Sequence, residues 1–179
     1  MANTKGTIRT LNRLVEEKLI SRYALGGAFG ALFYLEPTNT EDIDVFIHLH
    51  PAPGSALVSI KPIFDRLEHL GYTGWAEDKL VVEGWPVQFL PAVKPLEIEA
   101  LTTAKEHLLE PGLKTWVPTP EYLMAIAIDL GRPKDKFRLE QFYLQKAYDP
   151  RLLNAILQKH GLETKWRKIL ALFETGSKD

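Results

Sequence analysis

Apolar residues open the chain at Ile8, Leu11, Leu14, Val15 and Leu19, a spacing of three and four that predicts an amphipathic helix. Arg22-Tyr-Ala-Leu25 follows as a short strand stopped by Gly26-Gly27. Ala28 to Leu35 is apolar nearly all round, which predicts a buried helix. Glu36 to Thr40 is a loop by composition. Asp42-Ile-Asp-Val-Phe-Ile-His48 reads as a strand of β-branched and aromatic residues with aspartates two apart at its start. Pro51-Ala-Pro-Gly54 ends it, and Ser55 is placed to cap a helix running to about Leu70.

Beyond Gly71, an extended piece spans Tyr72 to Ala76, and Leu80 to Val82 and Trp85 to Leu90 form two strands joined at Glu83-Gly84. Pro86 has no N–H to give a ladder, so it belongs at a strand start or edge. Leu96 to His107 is expected as a helix and Lys114 to Val117 as a short strand. From Thr119 the pattern turns wholly helical. Thr119-Pro120-Glu121 supplies a cap, a first-turn proline and an acidic first turn, Asp149-Pro150 repeats the signal, and Gly161 stops the helix that it opens. These elements predict an α/β (α+β) fold: a mixed sheet flanked by helices over 1–118, and a helical C-terminal region over 119–179 packed on it.

Composition narrows the chemistry. The 179 residues are 45% hydrophobic and 25% charged, with net charge -1, so no global field favours nucleic acid or an anionic membrane. The absence of cysteine excludes disulfides, thiolate metal sites and cysteine nucleophiles. No apolar run approaches the roughly 20 residues that span a bilayer. The first 20 residues are unlike a secretory signal, so a cytoplasmic location without membrane contact is expected.

Side chains two apart on a strand leave from the same face, about 6.6 Å apart. Asp42 and Asp44 can therefore converge on a cation, and Mg²⁺ is commonly held by one or two carboxylates plus substrate phosphates. Taken alone, such a pair equally suits turn donors or solvent. Gly26-Gly27, between a strand and a helix, lets the backbone turn sharply and lets phosphate oxygens approach the amides. Together the two features place anion donors and cation ligands in one strand–turn–helix–loop–strand unit.

The run Tyr23-Ala-Leu-Gly-Gly-Ala-Phe-Gly30, followed by Thr40-Glu-Asp-Ile-Asp-Val-Phe-Ile47, resembles the polymerase-β-type nucleotidyltransferase superfamily. More narrowly it is similar to the minimal nucleotidyltransferases that include AbiEii-type toxins. The likeness covers roughly residues 22 to 48, with a looser one at Pro120-Glu-Tyr-Leu-Met124 and Gly131-Arg-Pro-Lys-Asp135. It implies a nucleotidyltransferase-like fold in which Gly26 and Gly27 hold the phosphates of a nucleoside triphosphate and Asp42 and Asp44 hold Mg²⁺. It also implies transfer of a nucleoside monophosphate to an RNA or protein acceptor, and an antitoxin-type partner.

The superfamily brings a third carboxylate from a later strand, and here Gln88 stands where that acid is expected. An amide orients a hydroxyl but is no base near neutral pH. Glu77, Asp78, Glu83, Glu97 and Glu99 are the other acids within reach of the sequence argument. The alternative is therefore a module of the same fold that binds nucleotide or a partner without turnover. A third reading is an unrelated α/β domain whose aspartates are structural. Arg132, Lys134, Lys136 and Arg138 cluster between two helices; they suit a triphosphate or a solvated turn, and Lys134 is the preferred phosphate contact, with Arg132 beside it. His48 and His50 read as an ordinary strand end, and Trp75, Trp85, Trp116 and Trp166, with Phe29, Phe33 and Phe46, as core.

Overall fold

The structure, a computed structural model, is described for residues 2–36, 39–49 and 59–176. Among them eight helices and seven strands follow in the order α1 (Thr4–Glu16), β1 (Arg22–Leu25), α2 (Gly27–Ala31), β2 (Ile43–His48), α3 (Lys61–His69), β3 (Trp75–Ala76), β4 (Lys79–Val82), β5 (Trp85–Pro91), α4 (Pro95–Thr102), β6 (Lys105–Glu110), β7 (Leu113–Val117), α5 (Pro120–Leu130), α6 (Pro133–Gln145), α7 (Pro150–Lys159) and α8 (Glu163–Gly176). This is the mixed α+β fold that the hydrophobic pattern predicts. Ser55 and His50 lie outside the described residues. None of the described helices is long and apolar enough to cross a membrane.

Five strands form one sheet in the order β1-β2-β5-β4-β3; only β2 and β5 run parallel. The turn between β4 and β5 has positive φ at both Glu83 and Gly84, 52° and 83°, the geometry that matches strand twist in a two-residue hairpin. Pro86 faces Val81 of β4, and pairing with β2 begins only at Val87, so the proline sits before the strand becomes central.

Two elements depart from the sequence pattern. The expected helix from Ala28 to Leu35 is regular only over Gly27–Ala31. Past Ala31 the amides of Phe33 and Tyr34 bond the carbonyls three residues back, tightening the turn. The rings of Phe33 and Tyr34 then meet His107 edge-on, with centroids 4.9 and 5.7 Å away. The expected helix from Leu96 to His107 ends at Thr102. There the hydroxyls of Thr102 and Thr103 donate to the Glu99 carbonyl, competing with backbone amides for it. Lys105 to Glu110 instead pairs with β7 through a Pro111-Gly112 turn whose glycine has φ 83°. Proline followed by glycine is a dipeptide that suits such a turn.

One hydrophobic cluster joins the sheet to the helices. Ile8, Leu11 and Leu14 of α1, Tyr23 to Leu25 of β1 and Ile43, Val45 and Ile47 of β2 are buried in it. Leu123 to Ile128 of α5 belong to the same cluster, six consecutive buried residues in a helix with almost no solvent face. α5 packs on α2 and α4, which lie against β2, and so brings the loop before α6 over the middle of the sheet.

Candidate functional site

Asp44 is the residue around which the site is built. It stands on β2 between the C-terminal end of β1 and β5: its carbonyl accepts from the Gly26 amide at 2.7 Å, and its Cα partner on β5 is Gln88. Only 8% of Asp44 is exposed, yet no donor among the described residues bonds its carboxylate, which faces a cavity of about 270 Å³. Burial, and then the neighbouring Asp42, push its pKa above the usual carboxylate range; Lys134, Arg138 and Arg132 pull the other way.

Gly27 has φ +58°, and a Cβ built there would stand 2.0 Å from Oδ2 of Asp44. Only glycine leaves room for this carboxylate beside the turn. At Gly26 a Cβ would stand 2.5 Å from the Phe46 ring, so this glycine serves packing. The adjacent helix α2 is five residues long and contributes its first amides, which have no helical acceptor, rather than a long dipole.

Asp42, just before β2, has its side chain 20% exposed and accepts from Lys79 Nζ at 2.6 Å. The bond to Asp42 raises the Lys79 pKa, keeping the ammonium charged. Hairpin register explains the meeting. Val82, Val81 and Leu80 face Trp85, Pro86 and Val87, and one further step sets Lys79 across from Gln88. Gln88 in turn pairs with Asp44, so a row of polar residues crosses three strands. Lys79 is absent from the sequence-derived candidates, although counting back from the Glu83-Gly84 turn places it.

The opposite wall comes from the start of α6. Asp135 is fully buried; it accepts from Arg132 Nε at 2.7 Å, from Arg132 Nη2 at 3.1 Å and from Arg138 Nη1 at 3.4 Å. Burial lowers the pKa of Arg138, whereas the bond to Asp135 raises that of the more exposed Arg132. Arg132 and Arg138 line the cavity facing Asp44 and Gln88. Lys134 is exposed outside the cavity lining, and its charge still acts on Asp44. The remaining wall is apolar, from Phe46 and Leu90 of the sheet and Leu123, Ile126, Ala127 and Leu130 of α5.

The cavity thus gathers Gly27, Asp44 and Arg132, whereas Asp42, Gly26 and Lys134 do not line it. Of the other acids, Glu77, Asp78, Glu83 and Glu99 do not line the cavity. Glu83 accepts from Asn3 and Tyr72, Glu99 is held by Lys159 and His160, and Glu97 borders the cavity but accepts from the amides of Val93 and Lys94. Among the described residues no three His, Asp or Glu side chains cluster as a metal site. Two oxygen donors do fit Mg²⁺, which completes its shell with waters and substrate phosphates, and Asp44 has an open, buried carboxylate for it. No protein-family profile matches the chain, and no curated protein matches it significantly.

Proposed function

We propose that this cavity binds a nucleoside triphosphate with Mg²⁺, and that the chain is a nucleotidyltransferase of the polymerase-β-type superfamily acting on an RNA or protein hydroxyl. The observation that carries the reading is the Asp44 carboxylate: buried, without a donor among the described residues, pressed against Gly27, and facing two arginines across the cavity. A buried anion in that state calls for a cation, and the arginines call for a second, larger anion. A Mg²⁺–triphosphate answers both. Asp44, with the remaining oxygen of Asp42, would hold the ion, which neutralises phosphate charge. Arg132 and Arg138 bind phosphate oxygens in this reading, with Lys134 at the mouth. The apolar wall from α5 suits the face of a base.

In the reaction the acceptor oxygen bonds to the α-phosphorus as the bond to the β-phosphate oxygen breaks, and pyrophosphate leaves. Gln88 accepts a hydrogen bond from the incoming hydroxyl, whose proton passes to water. Such transfer depends chiefly on positioning and charge neutralisation, so an amide in place of a base slows it without forbidding it.

A second reading has its own support. Gln88 where an acid is expected, and Lys79 bound to Asp42, suit a site that holds nucleotide without turning it over. Thermal unfolding with Mg²⁺ and ATP tests the common premise. Nucleotide at a hundredfold excess over Kd stabilises by about 2.7 kcal/mol, and Asp42→Ala/Asp44→Ala abolishes the gain. Label transfer from α-labelled nucleoside triphosphates to total RNA or protein then separates the two: transfer lost in the double variant supports the enzyme, and its persistence there sinks the metal assignment.

A further inference from the structure

Lys79 occupies a place that the sequence argument leaves empty. Its ammonium lies 2.6 Å from Asp42 Oδ2, and both side chains are about four-fifths buried, 19% and 20% exposed. That seclusion separates it from the solvated ion pairs elsewhere on the surface, such as Lys61 with Asp65 at 75% and 48% exposure. The pair is built by the fold: hairpin register carries Lys79 to the same cross-strand row as Gln88 and Asp44. Asp42 is two residues before Asp44 at the start of β2, so the ammonium that it holds stands beside one of the two proposed metal ligands.

Resting on the reading of the cavity as a Mg²⁺–nucleotide site, we propose that Lys79 is a built-in second cation, so that nucleotide is bound with one divalent ion instead of two. Two-metal sites for phosphoryl transfer hold their ions about 3.5–4 Å apart, clamping attacking and leaving oxygens between them. Here Gln88 lacks the charge of a further carboxylate, and Lys79 takes one oxygen of Asp42. A compact lysine ammonium is a point charge and can stand in for a cation electrostatically.

Charge balance agrees. Three carboxylates with two divalent ions carry a net single positive charge. Two carboxylates, one lysine and one divalent ion carry the same. A second divalent ion at Asp42 would have to displace the ammonium or lie against it, and like charges at that spacing repel. Lys79 is a positioning residue in this scheme: it touches Asp42, and through it sets how many ions the site accepts.

Counting Mn²⁺ tests the inference without reference to turnover. Wild-type protein, Lys79→Met and Lys79→Arg are each titrated with Mn²⁺ in the presence of α,β-methylene-ATP, and bound ions are counted by electron paramagnetic resonance. Circular dichroism verifies that each variant is folded; Lys79→Gln replaces Lys79→Met if the latter is not. The expected result is one ion per chain for wild type and Lys79→Arg, and two for the variant without the cation. Two ions in wild type, or one in the folded uncharged variant, overturn the role of Lys79 and leave the nucleotide site standing. No bound ion in any of the proteins sinks the reading of the site itself, and this inference with it.

Discussion

Asp44 shows how a single residue can be poorly placed for stability and well placed for binding. Its carboxyl is raised above the usual range by burial and by Asp42. Wherever the carboxyl is ionised, the folded state bears the cost of its desolvation. As pH falls through the raised folded value the carboxyl takes a proton and the cost shrinks; below the unfolded value it is gone. Asp44→Asn is therefore expected to raise Tm at neutral pH, by about 2–4 °C for each kcal/mol relieved in a chain of this size. The gain disappears in acid, and Mg²⁺–ATP no longer stabilises the variant. Calorimetry across pH with and without nucleotide checks all three outcomes, and an unchanged or lowered Tm at neutral pH would refute the account.

Among the elements, the start of α6 is held by an ionic knot rather than by a hydroxyl cap. Asp135 accepts from the Arg132 amide at 3.2 Å as well as from both guanidinium groups, so it fixes the helix end and the cavity wall together. Asp135→Ala leaves Arg138 largely buried without its counter-charge and is expected to cost about 3–5 kcal/mol, the range for breaking one side of a buried pair. Urea unfolding measures it. Arg132→Ala, with its side chain 43% exposed, should cost far less, so equal losses would argue against this view of the knot. Packing rather than charge governs α2. At Gly30 a Cβ would stand 2.4 Å from the carbonyl oxygen of Leu25, and this absence of a side chain lets the helix fold back on β1.

For the whole molecule, the decisive contact is that of α5 with the elements before it. Its residues Leu123 to Ile128 share one core with the strands, and its last residue, Leu130, lines the cavity that Asp44 faces. A chain ending at residue 118 would expose that apolar surface and lack the arginine wall. It is expected to lose cooperative thermal unfolding and to bind a hydrophobic dye. A sharp, reversible melt of the fragment would show that the first 118 residues form a self-sufficient unit.

Much of the architecture was legible in the order of residues, because period and punctuation are local. Alternating and continuous apolar runs marked β1, β2, β4 and β5; Glu83-Gly84 marked their hairpin; proline with a preceding cap marked α5 and α7. The same local logic overran at Leu96 to His107, where pairing of Lys105 to Glu110 with β7 outweighed helical continuity. The candidates Gly27, Asp44 and Arg132 were visible from residue type and spacing, and their convergence on one cavity was not, since α6 starts 85 positions after β2 ends and only the packing of α5 brings them face to face. Lys79 needed register across three strands, and the buried Asp135 knot needed two helices and a core to enclose it. Residue pattern determines which segments become strands and helices; which charges then meet, and how far water is kept from them, is decided only when distant segments close on one another.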